Sequence, residues 1–406
     1  MKNCCFPSRK SEQQYCKEAN MYNFLFHIPT KVYFGRGQIS HLGELSEYGK
    51  KVLLVYGGGS IKRNGLYDTA VGILHDAGME IFELAGVEPN PKIETVRKGV
   101  EICREQGVDV VLAIGGGSTI DCAKIVAAGT LYDGDAWDLV LDGSKMERAL
   151  PIASVLTISA TGSEMDRYAV ISDLGKNEKW STDARCLIPS LSILDPSYTF
   201  SVSKRQTAAG TADIMSHIFE SYFTTETAAD VQRRIAEGLL KVVFKYGPVA
   251  LNEPDNYDAR ANLMWAASHA INGLIADGAE QHWCVHPIEH ELSAFYDITH
   301  GEGLAILTPV WMEYILDENT KGYFADYGRN VWSISEEDDL DAAKAAIEKT
   351  RSFLQDSMGL PSNLRAVGIT DDRYFDQMAE KAARSTTATF VPLTKEDIKE
   401  IYRRAF

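Results

Sequence analysis

The chain has 406 residues, of which 45% are hydrophobic and 24% charged, with 32 Gly and 13 Pro. That is ordinary globular composition, neither disordered nor fibrous, and it is long enough for about two or three domains with cores of their own. Lys and Arg total 41 against 57 Asp and Glu, a formal charge of −16 with no basic tract, which argues against a nucleic-acid partner.

Residues 1–20 have a polar middle, Ser8 to Gln14, and no apolar h-region. They are expected to be a frayed extension rather than a secretory leader, with Met21 the start of the fold. Cys4, Cys5 and Cys16 lack Cys/His partners at finger spacing, and seven cysteines scattered through this length make no disulfide framework, so a reduced, cytoplasmic protein is expected. No apolar run approaches the roughly 18 residues that span a bilayer, so no membrane partner is expected.

From residue 21 to about 200 strands and helices alternate. Val52-Leu53-Leu54-Val55-Tyr56 is a continuous apolar run ending in Gly57-Gly58-Gly59, and a helical stretch then closes near Gly78. Ile81 to Leu84 reads as a short strand, Pro89-Asn90-Pro91 as a loop, and Glu94 to Gly107 as a helix. Val110 to Ile114 is another apolar run, entering Gly115-Gly116-Gly117-Ser118 and a helix that begins Thr119-Ile120-Asp121. Apolar strands separated by helices predict a parallel sheet covered on both faces, hence an α/β domain over 21–200. Beyond Asp195-Pro196 helices are predicted over Gln206 to Phe223, Ala228 to Tyr246, Tyr257 to Ile275, Val285 to Phe295 and Asp338 to Ser357, giving an all-helical domain over 201–406.

Both glycine turns are candidate nucleotide contacts. Glycine lets a backbone approach a phosphate, and a helix N-terminus offers free N–H groups, so Gly115 to Ser118 predicts a pyrophosphate seat. A tight βα turn needing positive φ is the alternative. NAD-preferring proteins place an acid near the adenosine ribose. Here the first acid after the strand is Asp68, whereas Ser60, Lys62 and Arg63 suit a 2′-phosphate, so NADP(H) is favoured over NAD(H).

The histidines point to a metal. Asp213 and His217 stand at i and i+4, as do His286 and His290, and His300 opens a further segment. One Asp with three His suits a borderline divalent ion, Fe²⁺ or Zn²⁺. His27, His41 and His75 have no companions, and His269 and His282 are read as structural. His290 is a candidate proton relay, since a neutral imidazole both accepts and donates. Trp283, Phe295 and Tyr296 line an alkyl pocket or fill core, with Trp283 the best pocket candidate because it precedes His286 by three residues.

With these features in place the chain resembles the iron-containing, group III alcohol dehydrogenases, especially the branch of butanol dehydrogenases and broad-range aldehyde reductases. The resemblance runs from about Met21 to the C-terminus. It rests on Gly-Gly-Gly-Ser at 115–118 with Asp121, on Thr157-Ile158-Ser159-Ala160-Thr161-Gly162-Ser163-Glu164, and on the segment from His286 to Gly303. It implies a Rossmann-like dinucleotide-binding domain followed by an all-α metal-binding domain, the dehydroquinate synthase-like architecture. The implied metal ligands are Asp213, His217, His286 and His300, with His290 outside the set. The pyrophosphate would lie at Gly116, Gly117 and Ser118, and the nicotinamide beside Thr157 and Thr161 with Lys179 and Asn90 nearby. Gly58, Gly59, Ser60 and Lys62 would surround the ribose, and Asp121 would have only a helix-dipole role. The implied activity is hydride transfer between nicotinamide and a short- to medium-chain aldehyde or primary alcohol, such as butyraldehyde and butanol, in a homodimer. A zinc-dependent polyol dehydrogenase, which uses fewer histidine ligands, and a metal hydrolase, which leaves the glycine turns without a purpose, are the alternatives.

Overall fold

The computed structural model describes residues 21–225, 228–279, 281–387 and 389–406. The extension and its Cys4, Cys5 and Cys16 lie outside these residues. The strands are β1 (Lys31–Phe34), β2 (Lys51–Tyr56), β3 (Glu80–Ala85), β4 (Val110–Gly115), β5 (Ile152–Leu156), β6 (Tyr168–Asp173), β7 (Glu178–Asp183) and β8 (Leu191–Leu194). Among them run α1 (Ser60–Arg63), α2 (Leu66–Asp76), α3 (Ile93–Gln106), α4 (Gly117–Thr130) and α5 (Ala136–Leu141). The second half holds α6 (Lys204–Tyr222), α7 (Asp230–Asn252), α8 (Tyr257–Ile271), α9 (Val285–Tyr296), α10 (His300–Ile315), α11 (Lys321–Trp332), α12 (Asp339–Ser352), α13 (Phe375–Ala382) and α14 (Lys395–Ala405).

A six-stranded parallel sheet has the order β1-β8-β5-β4-β2-β3. Every residue of β4 and β5 is buried, as expected of central strands covered on both faces. One face packs on α3, α4 and α5 through residues such as Val96, Ile125 and Trp137, and the other on α2 through Ala70 and Leu74. The second half is helical, and α6 runs through its core, buried from Thr207 to Tyr222.

Several expected bounds shift. The helix expected to close near Gly78 is two, α1 and α2, because the chain turns at Gly65 with φ of 80°. Helix α7 continues through Pro248 to Asn252, α8 ends at Ile271, and the run after α12 closes in a wider π turn over Phe353–Ser357. The antiparallel pair β6 and β7 was not foreseen. Its short polar sequence shows no long apolar run.

A buried polar network ties this hairpin to the sheet and the sheet to the helices. The Lys124 ammonium, fully buried on α4, donates to Asp166 Oδ1 at 2.7 Å and to the Tyr168 carbonyl at 2.8 Å. Asp121 accepts from Ser163 Oγ at 2.5 Å and from the Val170 amide at 2.9 Å. It therefore pins the 157–164 loop and β6, which corrects the expected helix-dipole role. Across to the helical half, Ser268 Oγ on α8 donates to Glu164 Oε1 at 2.5 Å, and Glu164 Oε2 is buried without a hydrogen-bond partner among the described residues.

Burial pushes the Glu164 carboxyl up from 4.5 to about 7. The folded state holds its proton more tightly than the unfolded chain, so this contribution to stability is complete below about pH 4.5 and is lost as pH rises through 7. Glu164→Gln has no charge to bury. Its unfolding free energy relative to wild type, from urea titrations, is expected to rise from pH 5 to pH 8, toward about 3 kcal/mol in its favour; a difference that does not move with pH would refute this.

Candidate metal and nucleotide site

The glycines of the expected phosphate seat serve close approach. Gly116 has φ of −92° and neither it nor Gly117 adopts a left-handed backbone, so the positive-φ alternative does not hold. A Cβ on Gly116 would collide with Ile158, and one on Gly117 with Thr161. Glycine thus lets the start of α4 lie flat against the loop after β5, which puts Gly117 and Thr161 side by side at the C-terminal ends of the central strands. In open α/β sheets ligands bind at that edge.

At the neighbouring turn Gly59 precedes α1 and Ser60 is its first residue. The Lys62 ammonium lies 3.6 Å from Glu83 Oε2 on β3 and over the rings of Tyr56 and Tyr67, at 4.8 and 4.3 Å. Glu83 accepts from both phenols at 2.5 Å. This acid gives no signal along the chain, because parallel pairing, and not sequence proximity, brings β3 beside β2. Next to α1 a cleft of about 340 Å³ is lined by Asn64, Leu66, Thr69, Tyr198 and Phe200, also unforeseen.

Helix α6 presents Asp213 and His217 on one face, and the start of α10 closes against it. A Cβ on Gly301 would strike the Ala209 carbonyl, so only glycine admits this contact, which sets His300 beside Asp213. Asp213 Oδ1 is the common vertex. It lies 3.7 Å from His217 Nδ1, 3.8 Å from His286 Nε2 and 3.7 Å from His300 Nε2. Ligand atoms of Asp213, His286 and His300 all fall within 4.8 Å of one another. His217 stands at the edge of this set, its ring stacked on His286 at 4.6 Å.

Asp213 Oδ1, His286 Nε2 and His217 Nδ1 are buried with no hydrogen-bond partner among the described residues. Unsatisfied lone pairs on one carboxylate and its imidazoles, turned toward a shared point, fit a borderline divalent cation. Burial pushes the Asp213 carboxyl up, yet the three imidazoles pull it down to about 2. Burial lowers His217 to about 4, and it holds His290 and His300 well below the ordinary histidine range. Burial lowers His286 as well, but the carboxylates of Asp213 and Glu220 raise it to about 9, so there a metal would take the place of a proton, whereas the neutral imidazoles are already in the form that binds metal.

His290 sits 5.5 Å from the His300 ring. Trp283 meets His286 and His217 edge-on, at 5.0 and 6.1 Å, whereas Phe295 and Tyr296, partly buried, pack on Tyr374 at the edge of the helical core. Of the three aromatics only Trp283 faces the site. His41 is stacked on Tyr33 and pairs with Glu44, and His269 is held by Asn272, both structural arrangements.

The two halves meet around this cluster. Lys179 on β7 reaches to 3.4 Å from Glu289 Oε2 and 3.4 Å from His300 Nδ1. The Asn90 amide donates to Asp297 Oδ1 at 3.0 Å and Lys92 pairs with the same oxygen at 3.1 Å, gripping the segment that leads into His300. Among the described residues no helix is long and apolar enough to cross a membrane.

Residues 29–196 match the family model for iron-containing alcohol dehydrogenase, and 207–406 match the C-terminal model of that family. The chain is 56% identical to NADH-dependent butanol dehydrogenase A of Clostridium acetobutylicum, over 95% of this chain and all of that one. It is 40% identical to the NADPH-dependent aldehyde reductase YqhD of Escherichia coli, over 86% of this chain and 90% of that one. The crystal structure of NADH-dependent butanol dehydrogenase A from Thermotoga maritima superposes with a TM-score of 0.90 at 40% identity, covering 96% of this chain and all of that one.

Proposed function

The chain belongs to the iron-containing alcohol dehydrogenase family, in its butanol dehydrogenase branch, and from that premise we propose how its residues serve the reaction. It is a metal-dependent NAD(P)H alcohol dehydrogenase and aldehyde reductase. The observation that carries the residue assignment is the convergence of Asp213, His286 and His300. These three, with His217 at their edge, are the proposed ligands of a divalent metal, Fe²⁺ by preference and Zn²⁺ otherwise. When bound, the ion supplies Lewis acidity toward a carbonyl oxygen and the reduced nicotinamide supplies a hydride.

The remaining work falls to the chain. Gly116, Gly117 and Ser118 seat the pyrophosphate with free N–H groups of α4. Thr157, Thr161, Lys179 and Asn90 border the nicotinamide. Gly58, Gly59, Ser60 and Lys62 surround the ribose, and the cleft beside α1 takes the adenine. Trp283 walls off the alkyl side of the pocket and excludes water. His290, neutral and close to His300, accepts or returns the alcohol proton. Butyraldehyde and butanol are the proposed substrate pair.

For the coenzyme, use of both NADH and NADPH is proposed, with Lys62 admitting the 2′-phosphate. The partial neutralisation of Lys62 by Glu83, and the NADH-dependent names of two relatives at 56% identity, speak against the preference for NADP(H) over NAD(H) expected from Ser60, Lys62 and Arg63. A homodimer is proposed from the run of exposed apolar side chains Met21, Tyr22, Phe24, Leu25 and Phe26 ahead of β1. A reducing, cytoplasmic setting is proposed from the unbridged Cys103, Cys122, Cys186 and Cys284.

The test is anaerobic purification, metal analysis and butyraldehyde reduction with NADH and NADPH in parallel. Metal near one per chain and turnover with both coenzymes are expected. Lys62→Ala should raise the KM for NADPH roughly tenfold and leave that for NADH unchanged, as loss of one charge-assisted bond implies. His290→Ala should keep its metal and turn over more slowly. Equal effects of Lys62→Ala on both coenzymes would remove the ribose-site reading.

A further inference from the structure

Two of the proposed ligand rings are gripped from behind by buried glutamates. Glu220 lies on α6 seven residues after Asp213, hence on the same helix face. Its Oε1 accepts from the Val285 and His286 amides at 2.8 and 2.9 Å and lies 3.0 Å from His286 Nδ1. Its Oε2 accepts from the Cys284 amide at 2.5 Å. One side chain thus satisfies the free N–H groups at the start of α9 and engages the ring of that helix's second residue. Glu289, fully buried on α9, pairs through Oε2 with His300 Nδ1, while Ser293 Oγ donates to its Oε1 at 2.5 Å.

We propose that Glu220 and Glu289 are the positioning residues of the metal site, each fixing the tautomer and the rotation of one ligand imidazole. This rests on the reading of Asp213, His286 and His300 as ligands. A neutral imidazole offers a metal only the nitrogen that carries no proton. A carboxylate accepting at Nδ1 keeps the proton there, so the Nε2 lone pair faces Asp213, and it also raises the basicity of that nitrogen. The geometry has this sense on both rings: Nδ1 of His286 and of His300 meets a glutamate, and Nε2 of each lies 3.8 and 3.7 Å from the Asp213 oxygen.

Glu289 could itself be taken for a ligand, since it groups with His290 and His300. Its oxygens are already occupied by His300, Ser293 and, at 3.4 Å, by Lys179 from β7, so a holding role suits it better. The Lys179 contact also links the metal-site scaffold to the nucleotide-binding half.

The experiment titrates the metal-free full-length protein with Co²⁺ anaerobically, reading affinity and visible absorption. Wild type should bind one Co²⁺ per chain with the intense bands of a low-coordinate nitrogen and oxygen site. Glu289→Gln and Glu220→Gln should weaken Co²⁺ about 10- to 100-fold and shift those bands. A glutamine that turns its NH₂ toward Nδ1 selects the tautomer with the proton on Nε2, which closes the ligand nitrogen. Glu220 also braces α9, so Glu289→Gln is the decisive variant, and its metal-free thermal midpoint should match wild type. Wild-type affinity and bands in Glu289→Gln would overturn the proposal. If His300→Ala bound Co²⁺ as wild type does, or wild type bound none, the ligand reading itself would fail and the proposal with it.

Discussion

Asp213→Ala is expected to yield a folded protein that retains no metal and reduces butyraldehyde at least about a thousandfold more slowly than wild type, a loss of about 4 kcal/mol of transition-state stabilisation. The size follows from its place at the vertex. Its Oδ1 is the only carboxylate oxygen within 4 Å of His217, His286 and His300 at once among the described ion pairs. Burial pushes its carboxyl up, but the surrounding histidines hold it well below the usual carboxylate range, so it carries the negative charge that offsets a divalent cation. The imidazoles left behind bring no negative charge to offset a dication in a buried site, where desolvating it is costly. Metal analysis of the anaerobically purified variant, and turnover with excess Fe²⁺ or Zn²⁺ added, check this. Chelated wild type should recover on adding metal and the variant should not. A metal-replete, active variant would move the site to the alternative group of Glu289, His290 and His300.

Lys124→Met is expected to destabilise the protein by about 3–5 kcal/mol, read as a lowered thermal midpoint and urea midpoint. The lysine is fully buried and satisfies Asp166 Oδ1, the Asp166 carbonyl and the Tyr168 carbonyl together, at 2.7, 3.1 and 2.8 Å. Methionine conserves the volume but strands a buried carboxylate and two carbonyls. The large cost comes from the uncompensated charge that remains, since the ion pair alone is a modest net gain against its desolvation. Lys124→Met combined with Asp166→Asn should recover a large share of the loss, as expected of two residues in direct contact. A single variant as stable as wild type would show that Asp166 is neutral in the folded state. Because these bonds seat the start of β6, and β7 carries Lys179 to His300 of the proposed metal site, the single variant should also raise the KM for coenzyme.

Much of the candidate site was legible because it is local. Asp213 and His217 share a face through helical spacing, and His286 and His290 do so again four residues apart, so chemistry and geometry could be read from the same few residues. The glycine turns were legible as sites of backbone approach, although what approaches Gly116 and Gly117 in this fold is the 157–161 loop. Glu83, Glu220 and Glu289 gave no such signal. Each is an ordinary acid until folding lays it against Lys62, His286 or His300. Asp121 was misjudged for the same reason, since Ser163 and Val170 are more than forty residues away along the chain.

By itself the amino-acid sequence determined the division into a sheet-bearing half and a helical half, the strands β2 and β4, and the residue types suited to a metal and a dinucleotide. Those properties follow from hydrophobic periodicity and side-chain chemistry, which act over a few residues. The tertiary structure alone decided the strand order β1-β8-β5-β4-β2-β3, the hairpin that delivers Lys179, and which nitrogen of His286 and His300 faces Asp213. These depend on contacts between segments distant in sequence, where packing and the need to satisfy buried polar groups select one arrangement among many that the local pattern permits.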